Sequence, residues 1–365
     1  MSVTSNEISF YGSANSPEAD NLTVGGAIDI TRRVTFADMT ATSLLDVVSS
    51  SASDTATKIA YYTRDATGVI NNETLTLTGQ TKVPGTKTSA RLLYAALSGA
   101  TANGPVAAPT GTAAVGDVAL MAHTPTIAAH TCQAGSANAT GTTPPVIKLQ
   151  AGDGASVTLG MVIRTTGGTG ANQIRMAMSL SGSAAGQYGT DIIAVNRAWG
   201  TIPDATTTYE IAPGFLFDLL PNPVTSITRP FATVASDVVG GASRTYVEKI
   251  FALNTDGSTA LTAASIIKQA DPTGLYTGGG ALNIALCTAL NDTGTVANRQ
   301  TAVGSGIGAY STGAAPQTVA VPAPGNLVSG NAVAQAQGIW LQLVLPAGLA
   351  PANGSFTLRG TGGTI

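Results

Sequence analysis

Short runs in which apolar and polar residues alternate are the feature of this sequence that most constrains its fold. In residues 72–83, Leu75 and Leu77 alternate with threonines, a period of two that is typical of a half-buried β-strand. β-Branched residues are abundant, and Gly, Asn, Asp or Pro interrupt the runs at short intervals. The same pattern predicts strands at 156–164, 245–253, 281–287 and 338–346. The sequence therefore predicts an all-β protein built from sandwiches or barrels.

Helical signals are few. Residues 40–50 and 258–269 are the candidates for a short helix of a turn or two. Thr and β-branched residues in both segments disfavour helix, because these side chains lose rotamer freedom against the preceding turn.

The chain carries few charges. Asp, Glu, Lys and Arg make up 10% of its 365 residues, against about 25% in ordinary soluble domains. The formal net charge is −3, so the clustered basic surface that binds nucleic acid non-specifically is not predicted. No apolar run reaches the roughly 18 residues of a transmembrane helix, and MSVTSNEISFYGS does not have the pattern of a secretory signal. We expect a chain that packs against other copies of itself, with no direct nucleic-acid or membrane partner.

Two stretches rich in Pro, Ala and Gly indicate domain boundaries. They are residues 99–116 and 219–230, whose composition resists burial and suits linkers. The predicted parts are an N-terminal β-sandwich, a middle β-module and a C-terminal β-sandwich. Their bounds are 1–110, 111–218 and 219–365.

The two outer parts share a repeated pattern. The tetrapeptide VGGA occurs at 24–27 and again at 239–242, and the same offset of 215 residues aligns Phe36 with Phe251. Phe is scarce in this chain, which favours a duplicated β-domain over a chance match in a biased composition. We therefore expect two related sandwiches with a small β-rich domain between them.

Candidate catalytic and metal-binding patterns are isolated and incomplete. The tripeptide Asp292-Thr293-Gly294 occurs in aspartic proteases, but the partner copy of that motif is missing here, so a β-turn is favoured. His123, His130 and Cys132 have the spacing H-x6-H-x-C without a fourth ligand, which favours polar residues on a strand. The chain has no G-x-S-x-G motif, and its two cysteines lie far apart. We predict no catalytic, cofactor-binding or metal-binding residue, and hence a protein that is not an enzyme.

The glycine-rich stretch IRTTGGTGANQIR at 163–175 has two interpretations. A phosphate-binding loop would require the Lys and hydroxyl of G-x-x-x-x-G-K-[ST], or a G-x-G-x-x-G that opens a helix, and neither is present. A tight turn between two strands, in which Gly supplies positive φ, explains the composition better.

This stretch and a second one downstream resemble a module that recurs in structural proteins of tailed bacteriophages. GMVIRTTGGTGANQIR (160–175) is followed by VNRAWGTIPDATTTYEI (195–211), and together they match the module over about fifty residues. The chain departs from the module at Asn172, where Gly is common. Residues 34–83 show a weaker resemblance to the opening β-domains of phage virion proteins, which implies an Ig-like sandwich. The motif residues singled out are Gly168, Gly170, Gln173, Arg175, Trp199, Pro203, Asp204 and Tyr209.

The resemblance implies a structural component of a tailed-phage virion, assembled in the cytoplasm of the bacterial host. The expected role is a capsid decoration or cement protein that bridges major capsid subunits. The expected partners are other copies of itself and the major capsid protein or other virion proteins. The alternative is a tail, neck or fibre protein, and a major capsid protein or a host-binding module is less favoured.

The residues of this region also suggest how the module holds together. Trp199 is one of two tryptophans, so its burial would supply much of a small core. Pro203 and Asp204 suit a turn, after which Tyr209 and Ile211 fall on one face of the next strand. A polar lock of Arg164, Arg175 and Arg197 with Asp204 is one expectation for the charged groups, and solvated strand-face residues are the other.

Overall fold

The structure is a computed structural model, and strands dominate it. It describes residues 8–17, 21–100, 104–134, 145–179, 190–219, 223–232, 241–255, 260–270, 279–312, 317–318, 335–348 and 356–364. Within these ranges the helical content is a single 3-10 turn, Asp153–Ser156, and there is no α-helix. No helix among them is long and apolar enough to cross a membrane. The predicted all-β class is confirmed.

The strands are numbered in chain order. The first twelve are β1 (Ile8–Asn15), β2 (Val24–Arg33), β3 (Leu45–Ser49), β4 (Lys58–Arg64), β5 (Ile70–Thr76), β6 (Val83–Pro84), β7 (Arg91–Leu97), β8 (Val118–Ala122), β9 (Ile127–Thr131), β10 (Val146–Lys148), β11 (Val162–Gly167) and β12 (Ile174–Ser179). The others are β13 (Ile192–Val195), β14 (Thr208–Ala212), β15 (Gly214–Phe217), β16 (Ser226–Thr228), β17 (Arg244–Asn254), β18 (Leu261–Ala270), β19 (Ala281–Leu290), β20 (Thr295–Val296), β21 (Gln317–Thr318), β22 (Gln337–Leu345) and β23 (Thr357–Thr364).

The chain forms two compact units. The first consists of Met1–Val34, Asn103–Pro105 and Thr228–Ile365. The second consists of Thr35–Ala102 and Val106–Ile227. The boundaries predicted near residues 110 and 218 do not coincide with this division, because β1 pairs along β17 from Ile8↔Asn254 to Gly12↔Ile250. This pairing joins the start of the chain to its C-terminal part.

The first unit contains two antiparallel sheets with a shared core. One sheet has the strand order β19-β22-β17-β1-β2, with β20 on β2, and the other has the order β21-β18-β23. Both sheets contribute to one apolar cluster, in which Ile250 and Leu341 of the first sheet pack with Ala264 and Ile266 of the second. Burial of apolar side chains between two sheets is the arrangement of a β-sandwich.

Strand β17 is buried on both faces. Tyr246, Ile250 and Ala252 lie in the core between the sheets, whereas Val247 packs on the other face with Trp340. The alternation follows from the two-residue period of a strand, which sends successive side chains to opposite faces.

The second unit contains further antiparallel sheets. A six-stranded sheet has the order β10-β13-β12-β11-β14-β9, and a four-stranded sheet has the order β15-β8-β3-β6. Strands β7, β4 and β5 are neighbours in that order in another sheet, and β5 is an edge strand of that sheet. Met121 of the four-stranded sheet packs with Val162, Ile174 and Met176 of the six-stranded sheet. One face of the β11–β12 hairpin is therefore part of a core between two sheets.

Most of the alternating runs are strands, as predicted, and the helix candidates are not helices. The strand predicted at 156–164 is wrong over 156–161, because β11 begins only at Val162 and a 3-10 turn ends at Ser156. Residues 74–78 alternate exposed threonines with Leu75, which is half buried, and Leu77, which is fully buried. The helix predicted within 40–50 is wrong, because this segment contains the fully buried strand β3. The candidate at 258–269 contains β18, and its first two residues lie outside the described ranges. Pairing with neighbouring strands outweighs the weak local helical tendency of both segments.

The two copies of the repeat that suggested duplication lie in different structural settings. Phe251 lies inside β17 of the first unit, whereas Phe36 precedes β3 in the second unit and stacks edge-on against Phe215 at 4.7 Å. The second VGGA is only partly within the described residues, since 239 and 240 fall outside them. The Ig-like character of the outer parts stays a prediction.

Core burial in the first unit predicts a contrast between two leucines. Leu341 is 0% exposed and Leu22 is 51% exposed. We expect Leu341→Ala to lower the free energy of unfolding by about 2–5 kcal/mol, because it leaves a cavity in the core. Leu22→Ala, the matched control, should change it by less than about 0.5 kcal/mol. Urea unfolding followed by circular dichroism measures both, and equal losses would contradict the described core.

Candidate functional site

The glycine-rich stretch is the connection of a β-hairpin. Strands β11 and β12 pair antiparallel, from Val162↔Met176 to Arg164↔Ile174. Gly168 and Gly170 have φ of 70° and 72°, and Asn172 has φ of 63°. These left-handed conformations are easy for Gly and tolerated by Asn, which accounts for the residue types at the three positions. The predicted turn between two strands is confirmed.

Close approach also requires glycine at two of these positions. A Cβ on Gly168 would lie 2.0 Å from the carbonyl oxygen of Thr206. A Cβ on Gly170 would lie 2.7 Å from the carbonyl oxygen of Thr201. The hairpin connection therefore packs backbone against backbone with the segment that leads into β14.

Gln173 joins the hairpin to that segment through both ends of its amide. Its Nε2 donates to the carbonyl oxygens of Gly170 at 2.9 Å and Thr201 at 2.6 Å. Its Oε1 accepts from the backbone N–H groups of Gly200 at 2.6 Å and Thr201 at 3.1 Å. A side chain with both a donor and an acceptor is needed for this pattern, which Gln supplies and Glu does not.

Arg175 is buried and makes contacts in several directions. Its Nη2 donates to the carbonyl oxygen of Ala198 at 2.6 Å, and its Nη1 donates to Asp117 Oδ2 at 3.0 Å. Its guanidinium carbon lies 5.1 Å from the ring centroid of Trp199, a cation–π contact. Burial, followed by the neighbouring Arg197, lowers the pKa of Arg175 to about 10, so the side chain is a cation at neutral pH.

Trp199 supplies both core and anchor. The side chain is 9% exposed and packs in the cluster on the other face of the hairpin, with Ile163 and Tyr209. Its Nε1 donates to the carbonyl oxygen of Val146 at 2.9 Å, which satisfies the polar end of the buried ring. The predicted burial of Trp199 is confirmed.

Pro203 and Asp204 introduce the turn before β14. Pro203 is buried, and the carbonyl oxygen of Asp204 accepts from the N–H of Thr207 at 3.0 Å. Asp204 Oδ1 accepts from the N–H and hydroxyl of Thr206 at 2.8 and 2.6 Å. The hydroxyl of Thr206, followed by its backbone N–H, lowers the pKa of Asp204. The predicted turn at this position is confirmed.

Tyr209 lies on β14 with its hydroxyl in a polar cluster. The side chain is fully buried, and its oxygen accepts from the N–H of Gln150 at 2.8 Å and donates to Asp153. Burial, followed by the hydrogen bond to Asp153, raises the pKa of Tyr209. His130 lies opposite on β9, and its Nδ1 is 2.8 Å from Asp153 Oδ2.

The expectation that the three arginines pair with the carboxylate of Asp204 is wrong. Asp117 supplies the carboxylate for two of them. Asp117 Oδ2 accepts from both Arg175 and Arg197. Burial, followed by the charge of Asp218, raises the pKa of Asp117. Asp204 instead uses its carboxylate within its own turn, because the N–H of Thr206 lies only two residues away. Arg164 pairs with Glu210 at 3.0 Å.

The sequence near these arginines does not identify their carboxylate partners. Asp117 lies 58 residues before Arg175 in the chain. Packing of the four-stranded sheet against the six-stranded sheet brings the two together, and such packing is not encoded in the spacing of charged residues. The network of motif residues and their missed partners is called the hairpin lock below. Its members are Gly168, Gly170, Gln173, Arg175, Trp199, Pro203, Asp204 and Tyr209, with Asp117, Val146, Asp153 and Thr201 as partners.

The histidines and Cys132 do not come together as a metal site. His123 Nδ1 lies 2.7 Å from Asp46 Oδ1, whereas His130 pairs with Asp153. Cys132 is buried, and burial, followed by the charge of Asp204, raises the pKa of its thiol to about 12. The described residues contain no group of three or more His, Cys, Asp or Glu able to hold a metal ion.

The Asp292-Thr293-Gly294 stretch is closed by the carboxylate of Asp292 rather than by the backbone bond of the predicted β-turn, and it also holds a buried lysine. Asp292 Oδ1 accepts from the N–H of Gly294 at 3.0 Å and from Lys249 Nζ at 2.6 Å. Lys249 is fully buried, with its Nζ 5.1 Å from the ring centroid of Phe251. Burial raises the pKa of Asp292, but the hydrogen bond and charge of Lys249 outweigh this and lower it overall. This carboxylate serves as the counter-ion of a core cation.

A shallow cleft of about 460 Å³ in the first unit is lined by neutral groups. Its lining residues are Leu286, Cys287, Thr288, Gly308, Ala309, Ser311 and Gln317. Burial raises the pKa of the Cys287 thiol to about 12, which keeps the sulfur protonated and a poor nucleophile at neutral pH. The cleft therefore offers shape and backbone groups rather than a reactive side chain.

Comparison of this chain with family models, curated proteins and solved structures found no significant match.

The close approach at Gly168 predicts that adding one methyl group there lowers the free energy of unfolding more than the same change at another glycine. We expect Gly168→Ala to destabilise the second unit by more than about 3 kcal/mol, because it combines positive φ with a backbone clash. Gly152 also has positive φ, of 93°, but a Cβ there meets nothing within 4 Å. Gly152→Ala is thus the matched control and should cost only about 1–2 kcal/mol. Thermal or urea unfolding compares the two, and equal costs would argue against the described packing.

The charge cluster predicts that Asp117 is required more strongly than an exposed aspartate. Asp117→Ala leaves the Arg175 guanidinium buried without its carboxylate, and we expect a loss of about 3–5 kcal/mol in unfolding free energy. Asp65 accepts hydrogen bonds within an exposed turn, so Asp65→Ala should cost much less. Urea unfolding at neutral pH measures both variants. A small loss for Asp117→Ala would mean that the cluster does not hold the sheets together.

Proposed function

We propose that this chain is a structural, non-enzymatic component of a tailed-phage virion, and that it acts as a capsid decoration or cement protein. It would bridge major capsid subunits in many copies and is assembled into particles in the bacterial cytoplasm. The observation that carries the proposal is the phage-type motif at 160–175 and 195–211, together with the use that the fold makes of it.

The polar groups of the motif residues bond to other parts of the fold, which supports a structural role. Gln173 and Arg175 donate hydrogen bonds to backbone carbonyls and to Asp117. The hydroxyl of Tyr209 bonds to Asp153 and to the N–H of Gln150. A catalytic site needs groups that are left available to a substrate. The hairpin lock instead keeps one rigid shape, which is what a repeated particle component requires.

The low charge of the chain is also compatible with assembly from many copies. Asp117, Glu210 and Asp292 each pair with a basic side chain inside the fold. Surfaces with few charges can approach each other without a large desolvation cost. Moderate interfaces that repeat around a particle become strong through multivalency.

A tail, neck or fibre component is the second candidate, because the same kind of β-domain serves those positions. The other two classes have less support. A major capsid protein of the common fold carries a long spine helix, and the described residues contain no α-helix. A carbohydrate-binding platform would need exposed aromatic rings, but Tyr61 is fully buried and the Tyr62 ring lies 4.8 Å from that of Tyr94.

A gene deletion in the phage that encodes this chain tests the proposal. We expect particles without the protein to retain DNA and tails but to lose resistance to heat or low salt. Complementation with wild type or Gly152→Ala should restore resistance, whereas Gly168→Ala should restore it poorly because its hairpin is destabilised. Mass spectrometry of purified virions measures incorporation.

The outcomes separate the candidates. Absence of the protein from wild-type virions would overturn the virion role altogether. Loss of tails from the deletion particles would replace the decoration role with a neck or tail role. Competition of the purified protein with phage adsorption would favour a host-binding module.

A further inference from the structure

Strand β5 presents an open edge with a regular backbone. It pairs with β4 without a bulge, from Lys58↔Thr76 to Arg64↔Ile70. The same ladder continues at both ends through Asp65 N–H to Val69 O at 3.0 Å and Leu77 N–H to Thr57 O at 2.9 Å. Hydrogen bonding alternates along an antiparallel pair, so the odd-numbered residues of β5 bond to β4 and the even-numbered residues direct their N–H and C=O groups outward.

The outward groups belong to four residues with uncharged side chains. They are Ile70, Asn72, Thr74 and Thr76. Their side chains are exposed, and among the described residues no hydrogen bond reaches their outward backbone groups. Natural edge strands are usually protected by Lys, Pro, a bulge or a covering segment, and β5 has no Lys, Pro or bulge.

Other sheet edges in the described part of the chain are short, irregular or covered. Strand β15 has four residues, and β23 pairs with β18 through two register shifts. Strand β10 has three residues and β6 has two. Strand β9 contains Ala129 with φ of 55° and pairs irregularly with β14. Strand β19 is covered by bridges to Ser311 and Ile307. The exposed regular ladder of β5 is thus an unusual feature that needs an explanation.

We propose that β5 is a self-association edge, at which two copies of this chain pair antiparallel, β5 against β5, about a two-fold axis at Asn72. The partner is a second copy because the outward residues of β5 are uncharged, so they can face the same residues of another copy across a two-fold axis without repulsion. Two-fold pairing of the outward residues places Asn72 opposite Asn72 and Ile70 opposite Thr74 of the second copy. About six backbone hydrogen bonds would form. The inference deepens the proposed multi-copy role and rests on it for its use in a particle.

The position of Glu73 disfavours the neighbouring register. An axis at Glu73 would place two carboxylates directly opposite each other, which is unfavourable. An axis at Asn72 places Glu73 opposite Asn71 of the second copy and the exposed Val69 opposite Leu75. Glu73 is already held inside its own copy by the hydroxyl of Tyr61 at 2.6 Å and the N–H of Thr86 at 2.9 Å. It therefore does not need to reach the partner.

The closing experiment uses sedimentation velocity on the purified full chain, at concentrations up to about 500 µM. We expect a weak dimer, with Kd on the order of 10–100 µM, because one strand buries less area than a standard interface. Asn72→Lys places two lysines opposite each other at the axis, and Asn72→Glu places two carboxylates there. Each variant alone should weaken the dimer by about tenfold or more.

Mixing the two variants provides the decisive result. An equimolar mixture of Asn72→Lys and Asn72→Glu should form a heterodimer at least as strong as the wild-type dimer, because Lys then faces Glu. Val115→Lys is the control for added charge, since Val115 is 73% exposed and is not part of β5. It should leave the dimer unchanged, and circular dichroism should show that all variants are folded.

Three outcomes would overturn the edge pairing. They are a wild-type monomer at all concentrations, a dimer insensitive to both substitutions at position 72, or a mixture no stronger than each variant alone. Any of these leaves the virion proposal standing, since incorporation into particles is measured separately. Conversely, absence from virions does not alter the sedimentation of the purified chain. If the chain is a monomer and β5 binds only another virion protein, the partner of this edge is not a second copy and the proposal is contradicted.

Discussion

The paired guanidinium groups on Asp117 are the constraint around which the second unit is organised. One buried carboxylate accepts from Arg175 on β12 and from Arg197 just after β13, and Arg175 in turn covers the ring of Trp199. A charge in this position is expensive to bury and favourable only while its partners stay in place. The hairpin, the loop carrying Trp199 and the start of β8 are therefore fixed relative to one another by one anion.

The sequence predicts the local features of the fold, and the structure supplies what depends on distant pairing. Alternation of Leu75 and Leu77 with threonines reports burial on one face directly, so this strand is predicted well. Segments 40–50 and 258–269 lack that clear period, and their strands form because neighbours in the sheets accept their hydrogen bonds. The division into units is likewise not visible in Pro- and Gly-rich stretches, because it depends on which strands pair.

The candidate site follows the same pattern. Gly168, Gly170 and Asp204 act through backbone conformation and a two-residue turn, so their roles can be predicted from the sequence alone. Arg175 and Tyr209 act through Asp117 and Asp153, which lie 58 and 56 residues away in the chain, and nothing in the spacing identifies those partners. Local turn chemistry is thus predictable from one sequence, whereas the choice of counter-ion is not.

The pairing of β1 with β17 has a consequence for the order in which the chain can fold. Strands β1 and β17 belong to the same unit, yet Ile8 pairs with Asn254, so the entire second unit is synthesised between them. At a translation rate of about 5–20 residues per second, β1 waits on the order of 10–50 seconds for its neighbour. Residues 35–227, by contrast, hold nearly all the strands of the second unit and are complete earlier. The inserted unit can therefore fold first, and closing the first unit around its long loop becomes the late, slow step of maturation.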